Sequence, residues 1–168
     1  MAILVIDGPE KAGKTTLIQM MKAQEPALEV VKWYQPKWYG EYKAELIRAL
    51  ALPKGALVVW DRSWASDAVY SKLMPKVPRR FLANEEAGEA QLGRYVGYNG
   101  LRVILGGPAA PVLAARRTAD DLPVAPLDEQ RAFIEYGEKW GWLHLSEASP
   151  TLATALLIIL KAIESRRK

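Results

Sequence analysis

Cysteine is absent from the 168 residues, and histidine occurs once, as His144. The first absence excludes disulfides, thiolate zinc sites, iron–sulfur clusters and a cysteine nucleophile. The second excludes a histidine-rich metal site. Long hydrophobic runs are missing as well. The longest, residues 152–160, is interrupted by Thr154 and falls far short of the ~20 residues that a membrane span needs. No basic segment precedes the first apolar run, Met1-Ala2-Ile3-Leu4-Val5-Ile6, so a secretory leader is not expected and a cytoplasmic protein is. Internal repeats, low-complexity tracts and linkers are also lacking.

What remains is ordinary globular composition, half apolar and a quarter charged, and its length leads us to expect one domain over 1–168. Lysine and arginine total 23 against 19 acids, a net charge of +4. That excess suits anionic ligands such as nucleotides and is slight for a protein that grips a long nucleic-acid strand.

Residues 2–6 are a continuous apolar run with Ile and Val, the mark of a strand buried on both faces of a parallel sheet. A helix is expected from Thr15, strands at 28–33 and 56–60, and a helix over 41–52 between those strands. Further on, helices are expected at 63–73, from an Asn84 cap to about Val96, at 111–117, 127–140 and 151–165. Strands are expected at 101–105 and 142–145. Pro75 and Pro78 break the chain, and 118–126 reads as a mobile loop. Strands alternating with helices predict an α/β fold, a three-layer α/β/α sandwich with a five-stranded, mainly parallel sheet.

Gly8-Pro9-Glu10-Lys11-Ala12-Gly13-Lys14-Thr15 fills every fixed position of G-x-x-x-x-G-K-[ST], and Thr16 follows it. A buried strand precedes the motif and a helix follows, as its mechanism requires. The glycines let the backbone wrap phosphates, with N–H groups and the helix dipole facing the anion. Lys14 is expected to reach the β- and γ-phosphates of ATP, and the Thr15 hydroxyl to ligate Mg²⁺. Asp7 is expected only to cap the loop.

A second signature, Asp61-Arg62-Ser63, ends the third strand, at the carboxyl edge where open α/β sheets bind ligands. Asp61 would serve Mg²⁺ or the acceptor oxygen, and Arg62 would hold the acceptor or transferred phosphate with its planar fork.

These residues resemble the thymidylate kinase and deoxynucleoside kinase group of P-loop kinases. Asp61-Arg62, then Ser66 and Tyr70, is similar to the D-R-Y-x-x-S-x-x-x-Y of thymidylate kinases. Asp61-Arg62-Ser63 with Ser66-Asp67 is equally similar to the [DE]-R-S-x-x-S-D of deoxynucleoside kinases. Glu10-Lys11-Ala12-Gly13-Lys14-Thr15 resembles the D-R-A-G-K-[ST] of thymidylate kinases that carry a catalytic arginine in the loop, with Lys11 at that arginine's place. Tyr34-Gln35-Pro36 aligns with the family's R-E-P but differs at both residues before the proline. Ser71 stands where a glutamine beside the base is common. Pro108 to Pro111, followed by Arg116-Arg117 and Asp120-Asp121, is similar to the family's lid segment, here about 116–127.

The resemblance implies ATP as phosphoryl donor, Mg²⁺, and a nucleotide or nucleoside acceptor. Catalytic groups would be Lys11, Lys14, Asp61, Arg62, Arg116 and Arg117; Glu10, Gln35, Trp38, Ser66 and Tyr70 would meet the acceptor. A homodimer and no membrane partner are also implied. The first expectation is transfer to a deoxynucleoside monophosphate. Its rivals are a kinase acting on a hydroxyl of a deoxynucleoside, or of a modified base or 5′ end in DNA, and a nucleotide-binding switch module. Trp33, Tyr34, Trp38 and Tyr39 could stack on a base or pack as core; Arg79-Arg80 reads as a solvated pair, and His144 as structural.

Overall fold

A computed structural model describes residues 2–33, 39–53, 56–74, 85–146 and 152–167. Expectations for Tyr34, Gln35, Pro36, Trp38, Pro75, Pro78, Arg79, Arg80 and Asn84 lie outside them.

Strand β1 (Ala2–Asp7) is flanked by β3 (Leu57–Asp61) and β4 (Gly100–Gly107), both parallel to it. The outer strands are β2 (Glu29–Lys32), beside β3, and β5 (Leu143–Ser146), beside β4. All five run parallel in the order β2-β3-β1-β4-β5. The expected α/β sandwich is therefore present, with every sheet pairing parallel.

Side chains alternate between the faces with the period of two that a strand imposes. Ile3, Val5, Val58, Trp60 and Ile104 pack towards helices α2 (Tyr39–Leu50), α3 (Trp64–Leu73), α5 (Arg94–Asn99) and α7 (Pro126–Trp140). Leu4, Ile6, Val59, Val103 and Leu105 pack on the opposite face towards α1 (Lys14–Gln24) and α8 (Leu152–Arg167). The remaining helices are α4 (Glu85–Gly88) and α6 (Ala110–Arg116).

The helix expected from the Asn84 cap to Val96 is interrupted. Between α4 and α5 the chain widens into a π-helical turn, Glu89–Gly93. The turn begins at Glu89, a carboxylate that is turned into the core rather than to solvent. Its Oε1 accepts from Trp64 Nε1 at 2.9 Å, Tyr136 Oη at 2.7 Å and Trp142 Nε1 at 3.0 Å, and its Oε2 from Arg102 at 2.5 Å. Gly93 makes this close approach feasible, since a Cβ there would lie 2.0 Å from Glu89 Oε2. One acid thus ties the start of α3 to α7 and fixes the helical wall beneath the candidate site.

Trp33 belongs to the same layer. Its ring lies 4.3 Å from Tyr42 and 5.4 Å from Trp60. Of the two roles open to the aromatics, core packing is the one Trp33 fills. His144 stands opposite Ile104 in β5, and burial lowers its pKa below the ordinary value.

Arg102→Met should leave Glu89 charged and buried without its cation. Breaking such a pair costs about 3 kcal/mol or more. Urea unfolding with an unchanged m-value would measure it, and a loss below ~0.5 kcal/mol would count against Glu89 as the anchor of this layer.

Candidate active site

The site grows from the carboxyl ends of β1 and β3, where the chain leaves β1 for one side of the sheet while β4 lies on the other. After Asp7 the backbone turns through Gly8 (φ 141°) and Gly13 (φ 97°) before α1 begins at Lys14. Gly8 has no alternative, because a Cβ there would meet the Leu105 carbonyl oxygen at 2.2 Å. Two residues with side chains also adopt left-handed geometry, Lys11 (φ 60°) and Arg62 (φ 73°). Such conformations cost energy, and both occur where chemistry is expected.

Asp7 does more than cap the loop. It is fully buried; its Oδ1 accepts from Gly8 N at 3.0 Å and Ser66 Oγ at 2.6 Å, its Oδ2 from Ser63 Oγ at 2.7 Å and Ser66 N at 3.2 Å. Burial raises its pKa, opposed by these serines and by the nearby Arg62 and Lys14. Ser63 in turn caps α3 by accepting from Ala65 N at 3.1 Å. Asp7 therefore sets the phosphate loop against the helix that follows Asp61-Arg62.

A cleft of about 590 Å³ opens over the loop. Lys11, Lys14, Thr15, Asp61, Arg62 and Arg116 line it together, so most of the expected catalytic groups converge. Lys14 Nζ folds back to donate to the Gly8 carbonyl at 2.8 Å and the Pro9 carbonyl at 2.6 Å. Burial, then the nearby Arg62, pushes its pKa down to about 7. Lys11 Nζ pairs with Asp121 Oδ1 at 3.1 Å, and the Thr118 amide together with Lys11 holds that carboxyl below its usual range. The Arg62 guanidinium donates to Ser66 Oγ at 3.3 Å and Tyr70 Oη at 3.4 Å, and lies 3.6 Å from Glu10 Oε1.

Ser66 and Tyr70 thus stand behind Arg62 rather than on the cleft wall. Gln35 and Trp38 lie outside the described residues, as does the Tyr39 side chain.

Arg116 and Arg117 part company. Arg116 ends α6 and lines the cleft, donating to the Lys11 carbonyl at 3.4 Å. Arg117 leaves the helix in extended geometry (φ −76°, ψ 152°), and its guanidinium turns inward to Glu129 and to the Leu122 and Val124 carbonyls. It is not among the residues lining the cleft. Sequence reasoning also missed Glu129, fully buried in the first turn of α7. Asp128-Glu129 at a helix start reads as a favourable dipole contact, which gives no hint of inward burial. Leu152, whose side chain comes within 3.2 Å of a Cβ at Gly13, carried no signal at all.

The oxygens present fit Mg²⁺. Thr15 and Asp61 line one cleft, and the Asp61 carboxylate accepts no hydrogen bond from the described residues. Among those residues no cluster of three or more acidic or histidine ligands occurs. Mg²⁺ needs none, since it takes one or two protein oxygens and completes its shell with phosphates and water.

A glycine-rich loop between a buried central strand and a helix, in an all-parallel sheet, is the arrangement of the P-loop fold class. Within that class the chain has the fold of the thymidylate kinase-like kinases. It superposes on the YorR protein of Bacillus subtilis, solved in complex with phosphorylated GDP, with a TM-score of 0.68 and 16% identity over 97% of this chain and 96% of that one. Thymidylate kinase from Candida albicans gives 0.62 and 13%, covering 99% and 93%. Deoxyadenosine kinase from M. mycoides, solved with dCMP and dCDP, gives 0.60 and 13%, covering 97% and 99%. No protein-family model and no curated protein matches the sequence.

The lowered pKa of Lys14 has two measurable consequences. Between about pH 7 and the ordinary 10.5 the unfolded chain holds the proton that folded Lys14 has lost, so stability rises with pH across that window. Lys14→Met should flatten the rise, as read from urea midpoints at either end. A triphosphate binding near pH 8 should draw a proton back onto Lys14; calorimetry in buffers of different ionisation heat would show the uptake, and Lys14→Met should abolish it.

Proposed function

We propose that the protein transfers the γ-phosphoryl group of ATP to a deoxynucleoside monophosphate. The observation that carries this reading is Arg62. A left-handed backbone, an N–H bonded to the Ile6 carbonyl at 3.0 Å, and contacts to Ser66, Tyr70 and Glu10 fix its guanidinium in the same cleft as Lys14. A fixed planar cation beyond those serving ATP is what an acceptor phosphate requires. The fold neighbour named for thymidylate supports a monophosphate acceptor on this architecture, while the one named for deoxyadenosine takes a nucleoside.

On this reading Lys14 leaves the Gly8 and Pro9 carbonyls for the β- and γ-phosphates. Lys11 leaves Asp121, and with Arg116 it flanks the transferring group as the 117–125 loop closes like a lid. Thr15 and Asp61 would hold Mg²⁺, which would neutralise phosphate charge. An acceptor phosphate oxygen bonds to the γ-phosphorus while the bond to the β,γ-bridging oxygen breaks, and ADP departs. No covalent intermediate with the protein is needed, because positioning and charge neutralisation provide most of the catalysis.

One observation favours a second reading, transfer to a hydroxyl. Arg117 is bound to Glu129, which leaves Arg62 as the cation for an acceptor phosphate. A hydroxyl acceptor would need only Asp61, whose carboxylate could take the proton, with Arg62 orienting the group.

ADP release with a panel of acceptors and the kinetics of Arg62→Ala separate these readings. ADP release with ATP and Mg²⁺ should rise with deoxynucleoside monophosphates and not with nucleosides or DNA oligomers; the reverse pattern supports the hydroxyl reading, and stimulation by no acceptor points to a switch module. Lys14→Ala should lower turnover on the order of 10²-fold or more. Arg62→Ala should raise the KM for the monophosphate strongly while the KM for ATP changes little.

A further inference from the structure

Glu129 stands outside every motif in the sequence, yet three parts of the site meet on it. Its Oε1 accepts from the Glu10 backbone N–H of the phosphate loop at 3.0 Å and from the Tyr70 hydroxyl of α3. Its Oε2 accepts from the Arg117 guanidinium, which also holds the Leu122 and Val124 carbonyls and so gathers the 117–125 loop around itself. Glu10 closes the circuit from the other side, since its Oε2 accepts from the Leu122 N–H at 3.0 Å and its Oε1 faces Arg62 at 3.6 Å. Burial pushes the Tyr70 hydroxyl up to about 12, against the pull of Arg62, so it remains a donor to Glu129 at neutral pH.

A fully buried carboxylate must have its charge matched, and here the matching groups come from three separate elements. None of the three can shift without breaking a charge-assisted bond to the same side chain. The Glu10 N–H is the phosphate loop's own anchor in this set. The 117–125 loop brings Asp121, partner of Lys11, and begins directly after Arg116.

We propose that Glu129 is a positioning residue that couples filling of the phosphate loop to ordering of the 117–125 loop. It touches neither nucleotide nor acceptor and acts through Glu10 and Arg117. The inference rests on the reading that residues 8–15 bind a nucleoside triphosphate, and it holds whichever acceptor is used.

The test is amide hydrogen exchange, with and without Mg²⁺ and a non-hydrolysable ATP analogue, on the unmodified protein, on Glu129→Gln, and on the double variant Glu129→Gln/Arg117→Gln. The double variant removes both charges, so neither is left buried alone. In the unmodified protein the analogue should slow exchange at 8–15 and, by on the order of tenfold, at 117–125. Both variants should keep the slowing at 8–15 and lose it at 117–125. Turnover should fall about tenfold or more in each, with the KM for ATP within about twofold. A double variant that keeps full turnover and a protected 117–125 loop would overturn the proposal. Unfolding of both variants would also overturn it, by making Glu129 a residue of stability alone. Absence of slowing at 8–15 in the unmodified protein would sink the nucleotide-binding reading itself, and this inference with it.

Discussion

The burial of one carboxylate at the end of β1 is the constraint on which the site depends. Asp7 has no access to water, and the four donors that surround it, with the nearby Arg62 and Lys14, offset the cost of burying its carboxyl. Those donors belong to the first residue of the phosphate loop and to the first turn of α3. The loop that would hold ATP and the helix that carries Arg62's supports are therefore registered against each other by the same two oxygens. This arrangement lets Arg62 adopt a strained backbone, because its N–H is bonded to Ile6 and its side chain is gripped from α3.

Charge compensation extends outward from that point. Lys11 pairs with Asp121, Arg62 faces Glu10, Arg117 is matched by Glu129, and Lys14 leans on two carbonyls. Each cation has an internal partner, so a phosphate entering the cleft would have to displace a carboxylate or a carbonyl from Lys11, Lys14 or Arg62. Such a site holds little unbalanced charge at rest, and on the proposed reading ligand would rearrange the pairs and so link binding to movement of the 117–125 loop. The deeper layer does not share this adaptability. There Glu89 and the edge-on contacts among Trp60, Trp64, Trp142 and Tyr136 lock α3 to α7.

The parallel sheet and the phosphate loop were legible in the sequence because both rest on local rules. A strand buried on both faces must be a continuous apolar run, and a backbone that cradles phosphate must have glycine where φ is positive and a Cβ would strike Leu105. Asp61-Arg62 was legible for a related reason, since the end of a central strand in such a sheet is where ligands bind. Trp33 was ambiguous, because an aromatic that stacks on a base and one that packs on Tyr42 look alike along the chain.

Tertiary structure alone decided which of two adjacent arginines faces the cleft. Arg116 keeps helical geometry and Arg117 does not, and the second guanidinium is held at Glu129, off the cleft lining. Glu129, Glu89 and Asp7 follow the same pattern. Each is an ordinary acid in sequence, and each becomes a buried hub only because donors from distant segments converge on it. The sequence by itself determined the class of fold and the loop proposed to bind phosphate, since these depend on backbone conformation and burial pattern. The pairing of charges around that place was settled by packing, because a buried carboxylate takes whichever donors the folded chain brings within hydrogen-bond reach.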